Sequence, residues 1–212
     1  MRCFGSDKFI RLVGLDIHGN FEDTYDDIEP GDKTQDFGHP AVSPDGTTAV
    51  YPIANGPKSR EGALFAITLG THQRSLLLAP EGKYAAFGDP VFSPSGDMLV
   101  WRATTTLPEG ADPATDLGSE VLAAPLVDGK LDMDNLVLVS GDVVGDDLDP
   151  MFSPNGEQIV YTHSPPDDPA TDVVEPDVIR ELWIASVANP DDRRKLSGDA
   201  HTFYAVPAWS RR

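Results

Sequence analysis

The chain has 212 residues, 40% of them apolar, enough to bury the core of one large domain or two small ones. Lys plus Arg number 16 against 35 Asp plus Glu, a net charge of −19 that argues against nucleic acid and anionic membrane as partners, since both need a basic footprint. Gly and Pro contribute 19 residues each, and Asp outnumbers Glu 26 to 9, a turn-rich balance that argues against a helical bundle.

Cys3 is the only cysteine, so no intramolecular disulfide or thiolate metal cluster can form. No apolar run approaches the roughly 18 residues of a membrane span, and no export signal is visible in the chain as given. Residues 9–16 read as a strand, and residues 21–28 as a poor one, weakened by Glu22, Asp23, Asp26 and Asp27.

Next comes the first of four matching segments. His39-Pro40-Ala41-Val42-Ser43-Pro44-Asp45-Gly46, Asp89-Pro90-Val91-Phe92-Ser93-Pro94-Ser95-Gly96 and Asp149-Pro150-Met151-Phe152-Ser153-Pro154-Asn155-Gly156 share one pattern, and Val206-Pro207-Ala208-Trp209-Ser210 begins a fourth. Their first prolines are 50, 60 and 57 residues apart, a spacing that marks an internal structural repeat. In Ser-Pro-x-Gly the proline presets φ and the glycine takes positive φ, so each segment predicts a tight turn, with Asp45 and Asn155 as turn formers.

A short strand ending in an aromatic follows each turn, at residues 47–51, 97–101 and 157–161. Strands are predicted again at 63–67, 121–126 and 181–185, and weaker ones at 74–78, 135–139 and 193–196. The Leu76-Leu77-Leu78 run reads as a buried strand. Four short strands per repeat describe a propeller blade. Tyr51, Trp101 and Tyr161 fall at one repeat position, and Val42, Phe92, Phe152 and Trp209 at another, so both sets read as packing between blades. The basic clusters Arg193-Arg194-Lys195 and Arg211-Arg212 are too small for nucleic acid and read as exposed strand ends.

The anchor, together with Ile159-Val160-Tyr161 and Leu182-Trp183-Ile184, resembles the TolB-type WD40-like β-propeller repeat over residues 39–210. That resemblance implies an all-β propeller serving as a rigid scaffold that binds proteins or ligands. It also implies a periplasmic or extracellular setting. The expected architecture is a single domain, 1–212, of about four blades: three complete, near 38–88, 89–148 and 149–205, and a composite of 9–28 with 204–210 that lacks a second strand. If the ring closes the chain is expected to be a monomer; if it is a fragment of a larger propeller, its open edges are expected to self-associate.

No Gly-x-Ser-x-Gly, His-Glu-x-x-His or Gly-x-x-x-x-Gly-Lys motif is present, and His18, His39, His72, His163 and His201 are scattered, so a non-catalytic role is expected. Blade topology places the residues entering each repeat, His39, Asp89 and Asp149, around the mouth of the central channel, on the same end as the loops between second and third strands. Those loops repeat a pentapeptide, Asp112-Pro113-Ala114-Thr115-Asp116 and Asp168-Pro169-Ala170-Thr171-Asp172. Glu109, Asp167, Glu175 and Asp177 lie beside them, and Asp142, Asp146 and Asp147 near the mouth, so that end is expected to be strongly negative.

Three readings of this acidic end stand side by side. It is solvated turn chemistry, a docking surface for a basic protein segment or ligand, or a Ca²⁺ or Mg²⁺ site in which Asp89 and Asp149 share the ion. The runner-up to a binding module is a metal-binding, or carbohydrate- or peptide-processing, propeller with its site at the channel mouth.

Overall fold

The computed structural model describes residues 2–6, 9–16, 18–27, 36–54, 62–106, 118–141, 145–165, 180–197 and 207–209. Two compact units divide the chain, Met1–Pro90 and Val91–Arg212. Among the described residues the only helix is one 3₁₀ turn, Met133–Asn135, and no helix is long and apolar enough to cross a membrane.

The first unit opens with β1 (Arg2–Ser6), β2 (Phe9–Leu15) and β3 (Phe21–Asp27), an antiparallel sheet in that order. This corrects one expectation: β1 fills the place beside β2 where the sequence reading left no second strand. The Asp-rich β3 pairs with β2 through two register shifts, so backbone pairing carries a sequence of low strand propensity.

The first complete repeat follows. Both β4 (Asp36–Phe37) and β5 (Ala41–Val42) pair with one edge of β6 (Thr48–Ala54), which pairs onward with β7 (Gly62–Thr68) and then β8 (Gln73–Leu78). Leu12 from β2 packs into the core made by Ala49, Tyr51, Ile53 and Ile67, so the N-terminal sheet and this repeat share one apolar interior. Strand β8 is the outer strand. Leu76 on it is 57% exposed, which corrects the reading of the triple-leucine run as buried: only one of its neighbours in the sheet, β7, can cover it. Arg74 shields the apolar surface nearby, with its guanidinium 5.3 Å from the Phe65 ring centre. Strand β9 (Tyr84–Phe92) leads out of the unit.

In the second unit β10 (Met98–Thr105) pairs with β11 (Ser119–Val127), and β11 with β12 (Lys130–Leu131) and β13 (Val137–Leu138). Asp128 and Gly129, with φ of 51° and 73°, make the β11–β12 hairpin turn, an Asp-Gly signal the repeat pattern did not absorb. The last repeat runs β14 (Asp146–Phe152), β15 (Gln158–Ser164), β16 (Glu181–Ser186) and β17 (Arg193–Lys195), all antiparallel. Its core joins Val100, Val121, Ala123 and Val139 to Phe152, Ile159, Tyr161 and Ala185. Pro207–Trp209 form no strand, and the rest of the expected C-terminal strand lies outside the described residues.

The repeated turn explains why the pattern needs its serine. Ser43, Ser93 and Ser153 each donate N–H to the carbonyl five residues on, at 2.8, 2.9 and 2.8 Å. The N–H of that same residue, Thr48, Met98 or Gln158, donates back to the serine Oγ at 3.0 Å. The fourth residue, Gly46, Gly96 or Gly156, has φ of 72–79°, which a side chain resists. A polar side chain inside the turn accepts the serine hydroxyl proton: Asp45, Asp97 or Asn155. In the second repeat the acid has moved two places on, with Ser95 also donating to Asp97. The aromatic that ends each following strand is buried: Tyr51 and Trp101 at 0% exposure and Tyr161 at 1%.

Candidate functional site

Asp89 and Asp149 have φ of 50° and 52°. Aspartate tolerates this left-handed backbone better than most residues, and the proline that follows bars the right-handed helical alternative. At Asp149 the turn produces a register shift between Leu148 and Met151 against β15. Each aspartate therefore has a backbone reason to stand at the entry of its repeat.

Their side chains meet different partners. Asp89, in the first unit, faces His39, with Nδ1 and Oδ1 3.5 Å apart and the histidine almost fully exposed. Asp149, in the second, has the Arg180 guanidinium at 3.9 Å and the Thr162 hydroxyl at 3.5 Å. Among the described residues no three His, Cys, Asp or Glu side chains gather where a metal ion would bind.

Asp112, Asp116, Asp168 and Asp172 lie outside the described residues, as do Glu109, Asp142, Asp167, Glu175 and Asp177. The strands that anchor their connections are described, and they converge. Residues 106–118 leave from Thr105, whose N–H and Oγ1 both bond the Gly118 carbonyl, at 2.9 and 2.8 Å. Ser119 then pairs in parallel with Asp146, and Asp146 pairs with Ser164, where the second acidic connection begins. Both connections thus spring from one row of the second unit, at the start of β14.

Asp147 does not belong to that acidic surface. The expectation that it adds to the negative end near the mouth is corrected: it is 1% exposed, and its Oδ1 lies 2.8 Å from Nδ1 of His163, itself 4% exposed. Asp146 comes immediately before it, and alternation along a strand turns the neighbour inward. Burial pushes the Asp147 carboxyl above the ordinary carboxylate range; the hydrogen bond and charge of His163 oppose this without cancelling it. Its Oδ2 is buried without a well-formed hydrogen bond.

The pair extends across the sheet. His163 sits opposite Glu181 on β16 and makes a T-shaped contact with the Trp183 ring, the ring centres 5.8 Å apart. Burial alone would raise the Glu181 carboxyl. Bonds from Lys195 and the Trp183 indole, with the nearby His163, outweigh it and hold the carboxyl below its usual range. Behind the pair, burial and the Asp147 charge drive the Tyr161 phenol well above its usual value against the pull of Arg193.

Sequence reasoning missed this pair, but a signal was present. Aligned on the repeat, Asp147 and His163 stand where the first repeat has Phe37 and Ile53 and the second has Phe87 and Ala103. Phe37 and Ile53 are paired in the first unit just as Asp147 and His163 are in the second. An acid and a histidine replacing two apolar residues at one repeat position mark a buried polar pair.

No family model matches the chain, and no curated protein matches it in sequence. Solved structures do match. TolB from Acinetobacter baumannii aligns over 89% of this chain and 37% of its own, with a TM-score of 0.54 and 13% identity. The fold is that of a β-propeller. A putative TolB from Agrobacterium tumefaciens aligns over 90% of this chain and 61% of its own, with a TM-score of 0.52 and 15% identity. A chain of a nidogen/laminin complex aligns over 92% and 60%, with a TM-score of 0.55 and 10% identity. The expected likeness to TolB-type propellers is therefore borne out for the fold, and the chain spans 37 to 61% of the length of these structures.

Proposed function

We propose that the chain is a non-catalytic binding module that offers one acidic end of a propeller to a basic protein segment or ligand. The observation that carries this reading is the row Thr104–Ser119–Asp146–Ser164, which roots both acidic connections side by side. Those connections hold Glu109, Asp112 and Asp116 in one and Asp167, Asp168, Asp172, Glu175 and Asp177 in the other, and the one Lys or Arg in either is Arg180, next to β16 at the end of the second. Eight carboxylates against one guanidinium focus the local field and speed encounter with a cationic partner. The repeats are read as three complete blades with a further partial one. The setting expected from the fold resemblance is the periplasm or the cell exterior.

Thermal unfolding in EDTA, in millimolar Ca²⁺ and in monovalent salt of equal ionic strength tests this reading against a metal site. A site saturated about 100-fold over its Kd adds roughly 2.7 kcal/mol, on the order of 5–10 °C in a domain of this size. A docking surface predicts that Ca²⁺ does no more than matched monovalent salt. A Ca²⁺ shift of several degrees beyond it would transfer the acidic end to a metal-binding role.

A further inference from the structure

The buried Asp147–His163 pair lies at a seam. Asp147 is on β14, and its carbonyl accepts the Ser119 hydroxyl of β11 at 3.0 Å, while Asp146 Oδ1 lies 3.1 Å from the same hydroxyl. Ser140, at the exit of β13, accepts the Val121 N–H at 3.0 Å and borders the Asp147 carboxylate. Gly145, with φ of 142°, lets the chain pass so close that a Cβ there would lie 2.8 Å from the His163 ring and collide with the Ser164 carbonyl. The pair therefore sits where the β14–β17 blade meets β11 and β13 of the blade before it.

Packing does not require charge at this position. In the first repeat the residues paired at this position are Phe37 and Ile53. A buried aspartate costs desolvation that an apolar pair avoids. We propose that Asp147 and His163 form a proton-controlled latch that fastens β14 to β15 at the seam with the preceding blade and loosens as the shared proton is lost.

With one proton between them the two groups are neutral as a pair, and the Oδ1···Nδ1 bond is made. Loss of that proton leaves a net carboxylate in the seam, with Oδ2 poorly satisfied. The surrounding groups reinforce the direction. Asp146 on the same strand disfavours a second negative charge. Glu181 on β16 stands opposite His163 on β15, and Lys195 on β17 offsets part of its charge. Arg193 on β17 acts on the Tyr161 side. Burial pushes the Asp147 carboxyl up. A raised folded-state value means stability that is present at low pH and is lost as pH rises through that value.

Native-state hydrogen exchange of the full chain, corrected for intrinsic exchange, tests the latch. Protection of the β14 and β15 amides is expected to fall with rising pH, by up to about tenfold per pH unit, the slope for one proton. The double variant D147F/H163I, which installs the apolar pair of the first repeat, is expected to lose that slope. A wild-type protein without the slope, or a variant that keeps it, overturns the proposal. Should the variant not fold, NMR titration of the His163 ring in the wild type decides. A ring that titrates in step with the fall in protection supports the latch, and protection that stays flat while the ring titrates overturns it.

Discussion

Ser119 pairs in parallel with Asp146, and this single bridge places the starts of two repeats of the second unit side by side. The Ser119 hydroxyl reinforces it by bonding the Asp146 side chain and the Asp147 carbonyl. Ser119→Ala should cost about 1–3 kcal/mol, because the buried Asp147 carbonyl then loses a donor. Chemical denaturation measures this. Ser119→Thr, which keeps the hydroxyl, should cost less.

The turn serines should behave as a set. Ser43, Ser93 and Ser153 each take one N–H and hold one turn side chain. Substitution by alanine should cost roughly 0.5–2 kcal/mol at each site, in the range of a lost helix cap. A series in which only one serine matters would show that the turns are not equivalent.

Core truncations should be several times more damaging. Among the described residues Trp101, Tyr51 and Tyr161 are the largest fully buried side chains. Replacing any of them with alanine should cost about 3–5 kcal/mol. Tyr161→Phe separates packing from the phenol, which lies near Asp147 and Arg193. Heat-induced unfolding of the four variants reads the difference.

Two glycines at positive φ should differ. Gly129→Ala meets nothing within 4 Å and should cost about 1–2 kcal/mol for the left-handed backbone alone. Gly145→Ala adds a collision with the Ser164 carbonyl and a close approach to the His163 ring, so it should cost clearly more. Equal losses would mean that the backbone at Gly145 has room to move.

The turn acids and the buried acid should give opposite pH slopes. Hydrogen bonds from Ser95 and Ser93 hold Asp97 below the usual 3.8, and Ser43 and Thr47 do the same for Asp45. A depressed carboxyl stabilises above its unfolded value, and that contribution is lost as pH falls below about 3.8 and through the folded one. Asp97→Asn should flatten the acid side of the stability curve. Asp147→Asn should instead flatten the fall at higher pH, where the raised carboxyl ionises.

The fold was legible because its signals repeat. Pro-x-[Val/Phe]-Ser-Pro-x-Gly recurs with the hydrogen bonds that demand it, and strands predicted at 63–67, 121–126 and 181–185 fall within β7, β11 and β16. Strand β1 was not read because no repeat copy stood beside it for comparison. The exposure of Leu76 depends on which strand lies outermost, a tertiary fact that local apolarity does not encode. Asp147 looked like one more acid in an Asp-rich stretch, and only its cross-strand partner His163 distinguishes it. The positive φ of Asp89 and Asp149 was hidden behind a functional reading of the same residues.

The central claim is that the acids of the two connections recognise a basic partner. Calorimetric titration with a Lys/Arg-rich peptide, repeated across ionic strength, tests it most directly. Three proteins should be compared: wild type, a variant with Asp112, Asp116, Asp168 and Asp172 changed to Asn, and a charge-matched variant with the exposed Glu81 changed to Gln and Asp128, Asp134 and Asp192 to Asn. The account predicts salt-sensitive binding that the connection variant loses and the charge-matched variant keeps. Equal weakening in both variants would mean that the peptide senses only net charge, and would contradict a docking surface at this end of the propeller.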